Sequence, residues 1–206
     1  MRRAPRAALV CLLLLGGTAR GGELEQLEQR LTERGKQTRT LSAEFVQTKK
    51  LRLFRTEVTT RGRLSYQAPD HLRWETLPPD ASTLLVRGNR AELRIPGERP
   101  RVLDLRRDRA MATLVEQLLV WLGARSADRL TQWYRVELGR SPPKGYRLTL
   151  RPRSAAVRKR VSQVVVTLAG DVSLRRIELS HPGGDHSTIT FPTVRRNQPL
   201  PKGIFK

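Results

Sequence analysis

Three histidines are the first candidates for chemistry, because an imidazole exchanges protons and binds metal ions near neutral pH. His181 and His186 flank a glycine-rich turn with Asp185, and this cluster could hold a metal ion. No further ligand has the spacing to complete such a site, so the sequence favours a surface turn. His71 falls on the polar side of an alternating run. We therefore predict no metal site and no cofactor.

Motifs for covalent and phosphoryl chemistry are also missing from the sequence. Serines and aspartates occur, but none lies in a nucleophile elbow or in a pattern paired with histidine. Gly183 and Gly184 are followed by no helical pattern, so they do not form a phosphate-binding loop. We therefore predict that the protein is not an enzyme.

The remaining candidates are apolar side chains, whose chemistry is the exclusion of water. The stretch from Arg61 to Glu75 alternates strictly between polar and apolar residues, which predicts two strands with one buried face. Pro69 and Asp70 mark the turn between the two strands. The predicted buried face is Leu64, Tyr66, Leu72 and Trp74, and the predicted solvent face is Arg61, Arg63, Ser65, Gln67, His71 and Arg73.

The first 21 residues have the layout of a secretory signal peptide. A head with three arginines precedes an apolar run over residues 7–17, and small residues follow. This run is too short for a stable membrane anchor, and a buried N-terminal helix is the alternative. We expect cleavage after Ala19 or Gly21.

The only cysteine, Cys11, lies inside this segment. Almost no apolar run precedes it, so we predict no lipid anchor at this position. The mature chain then contains no disulfide, and its core must be stable without cross-links. A chain of 206 residues fits one domain with a sizeable core, which we place at residues 22–206.

Positive charge dominates the composition. Removing the four arginines of the leader leaves 36 basic residues against 19 acidic ones. Such an excess suits nucleic acid, anionic lipid or an acidic protein as a partner. The arginines alternate along predicted strands, however, which is typical of a solvated face. We expect no nucleic-acid partner, and a basic module that binds polyanions or acidic proteins is the alternative function.

The periodicity predicts a mainly β protein of the α+β class. Leu24, Leu27 and Leu31 indicate an amphipathic helix over residues 23–34. A second helix is expected over residues 108–122, and a short third one, capped by Ser126, over residues 127–133. About ten short strands fill the rest in an antiparallel meander, with expected cores at residues 41–47, 62–66, 72–74, 83–86, 91–95, 102–105, 134–138, 146–150, 161–168, 172–179 and 188–194. Such a curved sheet forms an unclosed β-barrel, and the apolar helices form its lid.

Five motifs, in order along nearly the whole mature chain, carry a family likeness. They are Leu41-Ser-Ala-Glu-Phe45-Val-Gln47, Gly62-Arg-Leu64-Ser-Tyr66, Pro69-Asp-His-Leu72-Arg-Trp74, Leu84-Leu-Val-Arg-Gly88-Asn and Asn197-Gln-Pro-Leu-Pro-Lys-Gly-Ile-Phe205. This ordered set resembles the periplasmic outer-membrane lipoprotein carrier family, LolA. The resemblance implies an unclosed β-barrel with a helical lid that carries the acyl chains of lipoproteins. It also implies a periplasmic location and two partners, an inner-membrane release complex and an outer-membrane acceptor.

The chain departs from this family at the turn that contains Pro69. The family often has an arginine immediately before this proline and an aromatic residue three positions after it, and both are tied to cargo handling. Here those positions hold Ala68 and Leu72. We carry neither role over, and a related lipid is an alternative cargo.

A carrier of this kind requires a dry cavity, since each buried methylene of an acyl chain is worth ~0.8 kcal/mol. A filled core made of the same side chains is the alternative, and periodicity alone favours it. The export signal, the missing catalytic groups and the resemblance together favour the carrier. We expect a monomer whose acyl cavity is lined by Phe45, Leu64, Tyr66, Leu72, Trp74, Leu84, Val86, Leu93, Met111, Leu114 and Leu118.

Overall fold

The computed structural model describes residues 19–52, 57–127 and 130–206. The predicted signal peptide lies outside the described residues up to position 18, so its structure stays a prediction. Within the described ranges, no helix is both long enough and apolar enough to cross a membrane.

One antiparallel sheet of eleven strands forms the body of the protein over the residues that the structure describes. The strands are β1 (Thr40–Lys50), β2 (Glu57–Gln67), β3 (His71–Thr76), β4 (Ser82–Arg87), β5 (Arg90–Arg94), β6 (Arg101–Asp104), β7 (Tyr134–Ser141), β8 (Gly145–Pro152), β9 (Gln163–Leu168), β10 (Leu174–Ser180) and β11 (His186–Arg196). They lie in the order β6-β5-β4-β3-β2-β1-β11-β10-β9-β8-β7. The first meander, β1–β6, and the second meander, β7–β11, therefore join where β1 pairs with β11. The sheet is not closed, because β6 and β7 remain its two edges. This architecture confirms the predicted mainly β fold with an open barrel.

Four helices accompany the sheet in the described part of the chain: α1 (Ala19–Gln37), α2 (Arg109–Trp121), α3 (Leu130–Trp133) and α4 (Ala155–Arg158). Leu27 and Leu31, one turn apart on α1, are both buried in the main core. The connection from edge strand β6 to edge strand β7 consists of α2 and α3, so it spans the open side of the barrel. The side chain of Asp108 caps α2 by accepting a hydrogen bond from the Met111 amide at 2.9 Å.

Glycines at two positions allow close approaches that hold α1 and the sheet in place. A Cβ at Gly35 would come within 2.6 Å of the Arg125 carbonyl carbon, so the end of α1 packs directly on the segment after α2. A Cβ at Gly62 would overlap the Phe45 ring and the backbone oxygen of Glu75. The strand β2 can therefore pass beneath this ring only because position 62 has no side chain.

Two details differ from the sequence-based expectations. The first helix is longer than predicted, because it begins at Ala19 and continues to Gln37. The third helix is described over Leu130–Trp133, and the predicted cap by Ser126 would act on residues 128 and 129, which lie outside the described residues. The Ser126 hydroxyl lies 3.3 Å from the hydroxyl of Thr32 on α1. Each of the eleven expected strand cores falls on one of the described strands, whereas the basic segment after β8 contains the short helix α4, which was not predicted.

The outer face of the first meander is less exposed than strict alternation predicted. Ser65 was expected in solvent but is only 7% exposed, and Leu85 is buried on the same face. The segment after β11 lies across this face, where Arg73 donates to the Ile204 carbonyl at 3.5 Å. The Phe205 ring meets His71 edge-on at 5.5 Å between centroids. Tertiary packing of the C-terminal segment therefore overrides the local pattern.

Candidate acyl-binding site

Cross-strand register arranges the inner face of the first meander in rows, because directly paired residues share one face. The first row is fully packed: its members are at most 3% exposed. The second row lies two residues away from the first on each strand, and its side chains are partly exposed to solvent from β3 to β5. We call these the packed row, which comprises Leu41, Tyr66, Leu72, Val86 and Ala91, and the open row, which comprises Trp74, Leu84 and Leu93.

An aromatic cluster lies beside the open row. The rings of Phe45 and Trp74 are 4.2 Å apart between centroids and are tilted by 31°. Phe191 of β11 approaches each of them at 6.5 Å, and it meets Trp74 edge-on. Phe45 and Phe191 are buried, whereas Trp74 is half-buried. The cluster therefore forms a rigid apolar floor with one partly exposed indole.

A cavity of about 540 Å³ lies at the rim of the inner face, next to this floor. Its lining includes Thr76, Ser82 and Ile95, which lie two positions from Trp74, Leu84 and Leu93, respectively, on the same face of the sheet. Val58, which is 41% exposed, adds an apolar side chain on β2. The lining residues are Gln47, Lys49, Val58, Thr60, Thr76, Pro79, Asp80, Ala81, Ser82, Ile95 and Pro96. The open row therefore continues into a cavity whose outer part is polar and carries Lys49.

The C-terminal end of α2 is fixed to the sheet and to α1 by hydrogen bonds. The Tyr66 hydroxyl lies 3.2 Å from the carbonyl oxygens of both Ala124 and Pro69. The Thr38 hydroxyl lies 2.8 Å from the Gly123 carbonyl. Burial is the main cause that raises the pKa of the Tyr66 phenol, so it remains a neutral donor at physiological pH.

Arg196 strengthens the same attachment, and Arg34 joins α1 to the turn before β10. Arg196 of β11 donates to the Leu122 carbonyl at 3.0 Å, at the helix end where the dipole favours a cation. Arg34 donates to the Ser173 hydroxyl at 3.0 Å and pairs with Asp171 at 3.5 Å. Burial, assisted by the nearby Arg34 charge, lowers the pKa of Arg196 to about 10, so the group stays charged at neutral pH. The end of α2 is therefore anchored by β2, β11 and α1 together.

The first turns of α2 are more weakly buried than this anchored end. Met111, Ala112 and Thr113 are half-buried, whereas Leu119, Val120 and Leu122 are at most 2% exposed. The Tyr134 hydroxyl donates to the side-chain oxygen of the buried Gln117, which ties the middle of the helix to β7. The helix is thus secured along its second half.

The predicted acyl-lining residues fall into three groups. Phe45, Leu64, Tyr66, Leu72 and Val86 are buried in the main core. Trp74, Leu84, Met111 and Leu118 pack partly buried against that core, and Leu93 lies beside Leu84 by register. Leu114 lies in α2, but its side chain is outside what the structure describes. Their role in binding an acyl chain stays a prediction.

Sequence reasoning did not single out the residues of the rim cavity. Val58, Thr76, Ser82 and Ile95 occupy the same face as the open row, so strand alternation would place them there. They were missed because they lie at strand ends. There Thr76 and Ser82 resemble loop residues, and Val58 and Ile95 lie outside the longer apolar runs. Ala68 is partly buried against the core, and Leu72 fills the middle of the packed row with no exposed surface.

The histidines lie on the surface, away from the inner face. His181 Nδ1 is 2.6 Å from the Arg160 carbonyl, and His186 Nδ1 is 3.3 Å from the Ser180 hydroxyl. The Asp185 carboxylate accepts a hydrogen bond from the Arg52 amide at 2.8 Å. Across the described ranges, no group of three potential metal ligands converges.

Comparisons with solved structures show a recurring fold at low sequence identity. MucB aligns with a TM-score of 0.53 and 15% identity over 93% of this chain, which spans 63% of MucB. A DUF1329 family protein from Desulfovibrio piger aligns with a TM-score of 0.50 and 12% identity, covering 92% of this chain and 98% of that one. A LolA superfamily protein from Nitrosomonas europaea has 14% identity and a TM-score of 0.43, covering 87% of this chain and 97% of that one. At these identities the likeness with the first two concerns the fold alone.

A search of the curated proteins found no match. The family comparison is more informative, because residues 36–206 match the family described as "Outer membrane lipoprotein carrier protein LolA". The match covers both meanders and the helical connection between them. The chain therefore belongs to the LolA family of outer-membrane lipoprotein carrier proteins.

Proposed function

We propose that this protein is an exported, periplasmic carrier that shields acyl chains of lipoproteins, or of a related lipid, between the inner and outer membranes. The observation that carries the proposal is the continuity between the open row and the rim cavity. Together they provide apolar surface that is reachable from solvent. Membership of the LolA family supports the same reading.

The size of the site suits one flexible chain. The rim cavity of about 540 Å³ falls within the range of about 300–1,000 Å³ that is typical of ligand pockets. Transfer of a sixteen-carbon chain out of water is worth roughly 12 kcal/mol. Lys49, Thr76 and Ser82 at the outer part of the cavity are suited to the polar end of such a ligand, whereas Trp74 and Leu84 would contact its chain.

We infer that movement of α2 enlarges the site for a longer chain, because the packed row leaves no space beneath the anchored end of this helix. We infer that the half-buried first turns, around Met111, rise from the sheet while the end near Leu122 remains attached. No motif for nucleotide binding occurs, so transfer would run down a gradient of affinity set by the partners. We infer that an inner-membrane release complex and an outer-membrane acceptor are those partners.

The proposal is tested with a variant that retains Trp74 as its only tryptophan, made by Trp121→Phe and Trp133→Phe. Addition of palmitate should shift the emission of Trp74 to shorter wavelength in a saturable manner, because the chain covers the exposed part of the indole. Trp74→Phe with the other two tryptophans retained is the matched control and should show a much smaller change. A Trp74 emission that does not respond to palmitate would refute the proposal.

A pair of charge substitutions distinguishes the carrier from a basic module for polyanions. Leu84→Glu places a carboxylate in the open row, whereas Val102→Glu places one at an outer position that is already 48% exposed. The carrier should lose about 100-fold in palmitate affinity with the first variant and almost none with the second. If instead neither substitution changes binding, and the affinity for a polyanion falls steeply with added salt, the protein is the polyanion module.

A further inference from the structure

A groove on the outer face of the sheet is lined by cations. It has a volume of about 610 Å³ and lies where the turn after β7 meets the turn after β9. Its charged lining consists of Lys144, Arg147, Arg175 and Arg176, and none of the residues that line it is acidic. The groove therefore has the electrostatic character of an anion site.

A β-bulge places two consecutive arginines in this groove. Leu174 and Arg176 face neighbouring residues of β9, so Arg175 is the extra residue on β10. Leu174 and Ile177 are buried, while both arginines between them are exposed. In a regular strand one of two adjacent side chains would point into the core, and the bulge avoids this. The local backbone is thus arranged to present a pair of guanidinium groups on one side.

The wall of the groove is held by direct contact between the two turns. A Cβ at Gly170 would come within 2.8 Å of the Lys144 carbonyl oxygen. A Cβ at Gly145 would overlap the Leu168 carbonyl oxygen. Because the turns touch through their backbones, Lys144 is held beside the arginine pair.

The positive charge of the groove is only partly neutralised. Arg147 and Arg176 share the carboxylate of Glu178, at 3.0 and 3.5 Å. Lys144 and Arg175 form no ion pair with any described residue. The surrounding sequence adds to the excess, since residues 138–170 contain eight basic side chains and no acidic one. Besides Arg147, two of these eight are paired with acids outside that range, Arg140 with Glu23 and Arg151 with Glu137.

Phosphate is the anion that best matches this arrangement, because guanidinium groups bind phosphate oxygens in pairs. The hydroxyls of Thr167 and Thr190 also line the groove and can donate to the same oxygens. The same outer face carries Arg135, opposite Arg151 on β8, beyond the groove itself. A positive surface spread over several strands matches an array of headgroups better than a single acidic side chain.

We propose that the outer face of β7–β10 docks on the anionic phospholipid headgroups of a membrane surface, with one headgroup phosphate in the groove. This inference goes beyond the proposed acyl carrier and stands without it, since the open row lies on the inner face of the other meander.

The test measures partition of the full chain onto phosphatidylcholine vesicles with and without phosphatidylglycerol. The protein should bind only the vesicles that contain phosphatidylglycerol, and binding should weaken with added salt. Arg175→Ala combined with Arg176→Ala should lower the partition about 25-fold, because each basic side chain near an anionic surface contributes about fivefold. The matched control removes two exposed arginines of β2, Arg61→Ala with Arg63→Ala, and should lower it less than threefold.

Four results would overturn the inference. Equal losses in the two double variants would mean that net charge alone causes binding. No partition of the unmodified protein onto phosphatidylglycerol vesicles would exclude membrane docking. Tighter binding of a polyglutamate peptide than of vesicles would indicate an acidic protein partner, and saturable binding of inorganic phosphate without vesicle binding would indicate a soluble ligand. Palmitate binding by the Arg175 and Arg176 double variant should remain unchanged. A failure of the membrane-docking proposal can therefore be distinguished from a failure of the carrier proposal.

Discussion

The packed row and the open row are made by the same strands, yet they have opposite characters. Leu72 and Val86 of the packed row are at most 3% exposed, and the Tyr66 hydroxyl adds a hydrogen bond to the segment after α2. Trp74 and Leu84 of the open row are half-buried and lead into the rim cavity. The same inner face can therefore combine a stable core with a surface that accepts a ligand. The anchored end of α2 is attached at the packed row and leaves the open row partly exposed.

The largest effect that separates the rows is the cost of removing a leucine side chain. Leu72→Ala should lower the free energy of unfolding by about 2–5 kcal/mol, because it leaves a cavity in a fully packed site. Leu84→Ala should cost only about 1 kcal/mol, since water already reaches this position. Chemical denaturation of the two variants measures both values. Equal losses would show that the open row is as tightly packed as its neighbour.

Strand alternation predicted which residues lie on the inner face but not how deeply each is buried along a strand. Leu72 and Leu84 are both leucines on the inner face, yet Leu72 has no exposed surface and Leu84 is half-buried. The attachment of α2 could not be predicted either, because Tyr66, Thr38 and Arg196 are far apart in sequence from the carbonyl groups to which they donate.

The outer face gives the complementary lesson. Ser65 was assigned to solvent from its polar side chain and its position in an alternating run, and the segment after β11 buries it. The bulge at Arg175 likewise breaks the alternation that the sequence pattern assumes. Local periodicity therefore predicted the strands well, whereas packing between distant segments decided exposure.

A second, smaller effect concerns the aromatic floor next to the open row. Gly62→Ala should lower the free energy of unfolding by about 1–3 kcal/mol, since the new methyl group would displace the Phe45 ring or the Glu75 backbone. Gly139→Ala on β7 is the matched control, because its nearest contact would be a carbonyl oxygen at 3.7 Å. Thermal unfolding of the pair gives the difference. A Gly62→Ala protein as stable as the control would show that the floor is not rigid.

The smallest effect concerns the hydrogen bond between the packed row and the segment after α2. Tyr66→Phe should cost about 0.5–1.5 kcal/mol of unfolding free energy, because the Ala124 carbonyl loses its donor. The same variant should bind palmitate as well as the unmodified protein does, since the lost bond lies at the end of α2 that stays attached and the open row is unchanged. Fluorescence titration beside denaturant unfolding checks both statements, and weaker palmitate binding would show that the anchored end of α2 takes part in binding.

This hydrogen bond also has a pH dependence of known sign. The folded state raises the pKa of Tyr66, so its contribution to stability is complete below the unfolded value of about 10 and falls as the pH rises above it. Tyr66→Phe should therefore reduce the loss of stability at alkaline pH. An identical alkaline profile for the variant and the unmodified protein would assign that loss to other groups, such as Tyr134, whose pKa burial also raises.

The most direct test of the central claim is to locate a bound acyl chain. A palmitate analogue with a diazirine near its methyl end can be photocrosslinked to the protein and the modified residues identified by mass spectrometry. We expect crosslinks at Trp74, Leu84 and Leu93, with further products at Val58 and Ile95 around the rim cavity. Crosslinks confined to the outer face, or to α1 and β8, would contradict the assignment of the open row as the acyl-binding surface.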